Sequence, residues 1–212
     1  MNSRPTNTRK TRRKAGRNAA GPVVRGEALQ VAARLFAENG YRATSLELVA
    51  ERLNITRQAL YYHFENKADV LGALFDDLMT KLEIAAADAS AEPAETRLVA
   101  MLQGHLAVIT TNTDLVAILL HERPEIAKIA GLQAAKRRRA YSNSLVAAYR
   151  AGVAAGRLRD MDPRVAVDTL ITAANGTSSW FHPTDGVSIE AVSAAVLELL
   201  IHGITRGEAE TG

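Results

Sequence analysis

The stretch Thr56-Arg57-Gln58-Ala59-Leu60-Tyr61-Tyr62-His63-Phe64 sets six side chains that can hydrogen-bond or stack among three apolar ones. At helical spacing Leu60 turns inward, and Thr56, Arg57, Gln58, Tyr61, Tyr62 and His63 make an outer face. Such groups donate to phosphate oxygens, bond to base edges or pack on a thymine methyl. Three residues on, Lys67 opens a new helix, where an ammonium and free backbone N–H groups can clamp a phosphate. The chemistry offered is recognition of a nucleic acid. No nucleophile–base pair is recognisable in the chain, and the absence of cysteine excludes a disulfide framework, a thiolate zinc site and a cysteine nucleophile.

A short recognition helix needs a frame, and the flanking sequence supplies one. Val24, Leu29, Ala32, Ala33, Leu35 and Phe36 recur at helical spacing up to a stop at Asn39-Gly40. Thr44 or Ser45 can cap a second helix whose apolar face is Leu46, Val49, Ala50 and Leu53. Asn54 tolerates the left-handed backbone of a tight turn, and Thr56 caps the third helix, 57–64. Small Ala50 permits the steep crossing of a helix-turn-helix. Val49, Leu53, Ile55 and Leu60 then form its miniature core against the first helix. Asn66 caps a long fourth helix carrying Leu71, Leu74, Phe75, Leu78, Leu82 and Ile84.

The charge distribution agrees with a polyanion partner. The 212 residues sum to +3, yet residues 1–26 hold eight basic side chains and no acid, and the rest has 18 basic against 23 acidic groups. A basic arm gains affinity for a phosphate backbone by counterion release, without demanding sequence. Residues 1–20, polar and without apolar periodicity, read as a disordered arm. Hydrophobic residues make up 47% of the chain, enough for a core. No apolar run approaches a membrane span and the basic N-terminus lacks a secretory apolar stretch, so a soluble, cytoplasmic protein is expected.

Downstream every segment again reads as helix: Pro93 to about Thr111, Leu115–His121 capped by Asp114, Pro124–Gly156 with a break near Gly131, Pro163–Phe181 and Ser188–Arg206. No strand is expected; the fold class is all-α. The Lys136-Arg137-Arg138-Arg139 run reads as a solvated helix face. Polar residues punctuate these apolar helices, the usual design of a small-molecule cavity. The candidates are Met101, His105, His121, Glu122, Tyr141, Ser144, Asn175 and Trp180, with Gln103 and Asn143 beside them. Val165, Leu170 and Ile171 on the penultimate helix, and Ile189, Val192, Val196 and Leu200 on the last, make apolar faces. Paired across a two-fold axis, they would form a four-helix bundle.

The residues Ala28–Phe36, Gly40-Tyr41, Thr44-Ser45, Val49-Ala50 and Leu60-Tyr61-Tyr62-His63-Phe64, then Lys67 and Leu71, resemble the TetR family of bacterial transcriptional regulators. The resemblance is close over about residues 23–75 and one of helical layout beyond. Asn54 stands where the family often has Gly. The resemblance implies an arm at 1–20, a helix-turn-helix domain at 21–67 and an effector-binding and dimerisation domain at 68–212. It implies a homodimer on a palindromic double-stranded operator, at the nucleoid, that a small effector releases, with neither enzymatic activity nor cofactor. By position it assigns Thr44, Thr56, Arg57, Gln58, Tyr61, Tyr62, His63 and Lys67 to DNA, with Tyr62 and Lys67 on phosphates. The segment Asn175–Gly186 and Arg137-Arg138-Arg139-Ala140-Tyr141 are also similar to TetR regulators of lipid and steroid breakdown. Some of these sense acyl-CoA thioesters, although Ser179 here replaces an arginine common before their tryptophan. Two other readings of the residues stand beside this one: a nonspecific architectural DNA binder, and a helical metal-dependent enzyme using His105, His121 and Glu122.

Overall fold

Ser45, Thr56 and Asn66 each cap a helix through the side chain. Their oxygens accept from the backbone N–H of Leu48 (3.2 Å), Ala59 (3.1 Å) and Asp69 (3.1 Å), which satisfies N–H groups a helix start leaves without partners. These caps fix the starts of α2 (Leu46–Arg52), α3 (Arg57–Tyr61) and α4 (Lys67–Asp88), which follow α1 (Gly21–Asn39). Between α2 and α3, Asn54 has φ +54°, the left-handed turn its short polar side chain tolerates. The computed structural model describes residues 21–181 and 186–205, with side chains from Arg25 onward. The expected disordered arm, the expected connection through residues 182–185 and Arg206 lie outside the described residues.

The rest of the chain continues as α5 (Arg97–Thr111), α6 (Thr113–His121), α7 (Arg123–Ile129), α8 (Gly131–Ala154), α9 (Pro163–Gly176) and α10 (Ile189–Ile204). Helix α5 is central and packs against α4, α8, α9 and α10, while α1 rests on α2, α4 and α6. The described residues form no sheet; their β-type pairing is an isolated bridge between Leu158 and Thr205. The fold is all-α.

Several helix limits differ from those read in the sequence. Pro93 does not start α5: the extended Glu92 before it (ψ 148°) is the conformation a following proline favours. A turn then follows, with Arg97 N–H donating to Pro93 O at 2.9 Å. Asp114 does not cap α6 but lies in its first turn, after Asn112. Helix α3 closes at Tyr61, where His63 N–H bonds back to Leu60 O in a tightened turn. Gly131 (φ +47°) makes the expected break, dividing α7 from α8. Helix α9 stops at Gly176 and gives way to a 3₁₀ turn over Thr177–Ser179.

Candidate nucleic-acid interface and ligand cavity

Leu60 is fully buried, with Val49, Ala50, Ala32 and Leu35 in the same apolar cluster. That seats α3 with its polar face outward. Thr56, Arg57 and Gln58 are exposed, Tyr62 is 84% exposed and Tyr61 45%, while His63 is half-buried beside the Tyr62 ring. The Thr56 hydroxyl oxygen is engaged as the α3 cap. Glu47 on α2, absent from the expected contacts, organises this face. Its carboxylate accepts from the Tyr61 hydroxyl at 3.2 Å and lies 3.8 Å from the Arg57 guanidinium. A bond from its own backbone N–H holds this carboxyl below the usual range, helped by Ser45, Tyr61 and Arg57. Its place in the first turn of α2 was the one signal the sequence carried.

Two of the expected DNA contacts have other work. Thr44 is 1% exposed, and its hydroxyl is shared between Leu35 O (3.1 Å) and Gly40 O (2.9 Å). It closes the end of α1 and cannot reach a duplex. The Lys67 ammonium donates to Tyr41 O (2.6 Å) and Arg42 O (3.0 Å) and lies 4.6 Å from the centre of the Tyr41 ring. Partial burial lowers its pKa, against the pull of Glu122. Lys67 therefore ties the start of α4 to the loop between α1 and α2 with two of its three donors.

Helices α4 to α9 line a cavity of about 940 Å³. Its floor is apolar, from Phe75, Leu78, Met79 and Leu82 of α4 with Ile109, Val116 and Leu119. Arg123, Arg138, Arg139 and Arg164 also line it, against the single carboxylate of Asp168. The basic run on α8 is thus divided by the helical period. Arg138 and Arg139 line the cavity, while Arg137 grips α4: it holds Glu83 through two bonds (3.0 and 2.7 Å), Asp76 Oδ1 at 3.0 Å and Thr80 at 3.0 Å. The solvated-face expectation fails for Arg137 and Arg138, which are half-buried because α4 and the cavity lie against that part of α8, while Lys136 and Arg139 are exposed.

Of the expected pocket residues, the cavity brings together His105, Tyr141 and Asn175. His105 Nδ1 lies 2.7 Å from the Tyr141 hydroxyl, and Nε2 lies 3.0 Å from Asn175 Oδ1. Burial pushes the His105 pKa down to about 4, opposed by the Asn175 bond, and pushes the Tyr141 hydroxyl up. The imidazole is therefore neutral at pH 7. In the unfolded chain it takes a proton near 6.5, so between 6.5 and 4 the unfolded state binds more protons. Stability is full above 6.5 and falls as the pH drops toward 4, by at most about 3 kcal/mol from this group. A His105→Gln variant is expected to lose this share of the acid sensitivity, read as a smaller drop in urea midpoint between about pH 7.5 and about pH 5.

The other expected pocket residues lie elsewhere. Met101 is in the core, and Ser144 and Trp180 are exposed. His121 and Glu122 line a separate groove of about 940 Å³ between α6–α7 and the Tyr41 loop. His105, His121 and Glu122 do not converge, and among the described residues no cluster of three such side chains is suited to a metal ion. On the expected dimer face Val165 is 65% exposed, and Ile171, Ile189, Val196 and Leu200 are half-buried. Leu170 and Val192 are buried within the protomer itself, because α5 packs against both helices, with Thr110 bonded to Ser193. Leu199, also expected on this face, is 77% exposed.

Residues 28–74 match the model of bacterial regulatory proteins of the tetR family, and residues 91–204 match that of the tetracyclin repressor-like C-terminal domain. The HTH-type transcriptional repressor KstR2 of Rhodococcus jostii (strain RHA1) is 29% identical over 194 residues, 85% of this chain and 90% of its own. The fatty acid metabolism regulator protein of Bacillus subtilis (strain 168) is 26% identical over 188 residues, 83% of this chain and 93% of its own. A solved TetR/AcrR-family transcriptional regulator from Thermobifida fusca YX-ER1 superposes with a TM-score of 0.65 at 34% identity, covering 85% of this chain and 98% of that one.

Proposed function

The chain belongs to the TetR family of bacterial regulatory proteins, and on that premise we propose that it is a homodimeric repressor released from a palindromic operator when an amphiphilic anion enters the α4–α9 cavity. The observation that carries this reading is a single helix. Residues Phe75, Leu78, Met79 and Leu82 of α4 wall the cavity, while Lys67 at its start holds the loop between α1 and α2. A ligand that favours a displaced α4 shifts the population away from the arrangement that fits DNA, to the extent of its differential affinity. The outward faces of α9 and α10, with Val165 and Leu199, are where a second copy docks. Two α3 helices then reach successive major grooves.

The cavity favours an acyl-CoA or a related hydrophobic acid: an apolar floor for a chain and four arginines for an anionic head. A curated relative named for fatty acid metabolism supports the same class. Selection of bound duplexes from a random pool, then anisotropy titrations with and without dodecanoyl-CoA, tests the reading. A selected palindrome is expected to bind roughly a thousandfold or more tighter than a scrambled duplex at matched salt, and the acyl-CoA to weaken that binding. Equal affinity for both duplexes would establish an architectural binder. An operator complex that no acyl-CoA or fatty acid weakens would remove the effector half of the proposal.

A further inference from the structure

The triad Tyr141–His105–Asn175 is a chain of hydrogen bonds with a direction. With Asn175 Oδ1 accepting from Nε2–H, the Tyr141 hydroxyl donates to Nδ1. The Tyr141 oxygen then keeps an acceptor lone pair, and the Asn175 amide keeps its N–H donors. Half a turn of the amide with the other imidazole tautomer reverses both bonds, leaving a Tyr141 O–H donor and an Asn175 carbonyl acceptor. In either direction the triad leaves one donor and one acceptor beside the apolar cavity that all three residues line. Its centre is buried and neutral, so reversal moves no net charge. A wholly apolar ligand would strip both free ends of water and return nothing, a cost that falls on such a ligand alone.

We propose that this triad is a specificity-determining subsite for a hydroxyl or keto oxygen carried on the acyl part of the ligand. One direction gives the Tyr141 O–H to a ketone; the other lets the Tyr141 oxygen accept from an alcohol. Tyr141 follows Arg138 by three residues, less than one turn of α8, so the subsite and the cationic lining are about 5 Å apart along that helix. The ligand class is therefore a hydroxyacyl or oxoacyl thioester rather than a saturated one. This inference rests on the effector reading above and narrows it.

The test is calorimetric titration of the full-length protein with dodecanoyl-CoA, 3-hydroxydodecanoyl-CoA and 3-oxododecanoyl-CoA. Both oxygenated probes are expected to bind roughly threefold to tenfold tighter than the saturated one. Tyr141→Phe is expected to erase that preference, and Asn175→Ala repeats the test from the other end of the triad. A wild-type protein without the preference, or a preference surviving in both variants, overturns the subsite and leaves the effector reading intact. Failure of all three probes to bind overturns the acyl-CoA reading and the subsite with it.

Discussion

Gln58→Ala combined with Tyr62→Ala is expected to cost roughly thirtyfold or more in affinity for a selected operator, because a good base contact by Gln58 contributes about 1–3 kcal/mol, a dimer presents it twice, and the Tyr62 phosphate bond is lost beside it. Gln58 is exposed and Tyr62 is 84% exposed, so neither side chain contributes core packing. The thermal unfolding midpoint is therefore expected to stay where it is. Both residues are uncharged, so the slope of log affinity against log salt should also hold, in contrast to Arg57→Ala, which removes a cation. Fluorescence anisotropy over a salt series, beside a melting curve, reads all three quantities. Unchanged operator affinity would mean that α3 is not the reading element.

Leu60→Ala is expected to do the reverse, destabilising the fold by about 2–5 kcal/mol through lost burial and the cavity left behind. Leu60 is fully buried in the apolar cluster it shares with Val49, Ala50, Ala32 and Leu35. Its carbonyl also closes the turn after α3, accepting from His63 N–H at 2.9 Å and Phe64 N–H at 3.1 Å. DNA affinity is lost as well, but only because α3 is no longer held against its neighbours. Urea unfolding should show the midpoint falling at unchanged slope. A shift under about 1 kcal/mol would mean the helix-turn-helix is seated by something other than this core. Together the two variants separate the residues that read from the residue that holds the reader.

The helix-turn-helix was legible in the sequence because its signals are local. N-caps act three residues ahead, apolar faces repeat every turn, and Asn54 marks its own left-handed conformation. The outward set Arg57, Gln58, Tyr61 and Tyr62 follows from the same periodicity once Leu60 is inward. Local signals could not say which polar groups are already satisfied. Thr44 and Lys67 are DNA contacts by position in the family resemblance, yet the Thr44 hydroxyl is taken up by the carbonyls of Leu35 and Gly40, and two of the three donors of the Lys67 ammonium by those of Tyr41 and Arg42.

The ligand cavity is the harder case, since it belongs to no single stretch of chain. His105, Tyr141 and Asn175 come from three helices, 36 and 70 residues apart in the two bonds that join them. Periodicity brings each to the inner side of its own helix but says nothing of the crossing that makes them partners. Likewise, four consecutive basic residues on α8 carry no mark of which neighbour each will meet. Their 100° steps around the helix are fixed by the chain, whereas the clasp of Arg137 on Asp76 and Glu83, and the entry of Arg138 and Arg139 into the cavity, exist only because α4 packs where it does. Sequence by itself determined the class of the fold, the helix-turn-helix and the exposed face of α3, because short-range sterics, caps and burial periodicity act within a few residues. Tertiary packing alone decided which charges and hydroxyls remain free to act, because hydrogen-bond and ion-pair satisfaction depends on groups that approach only after the helices have docked.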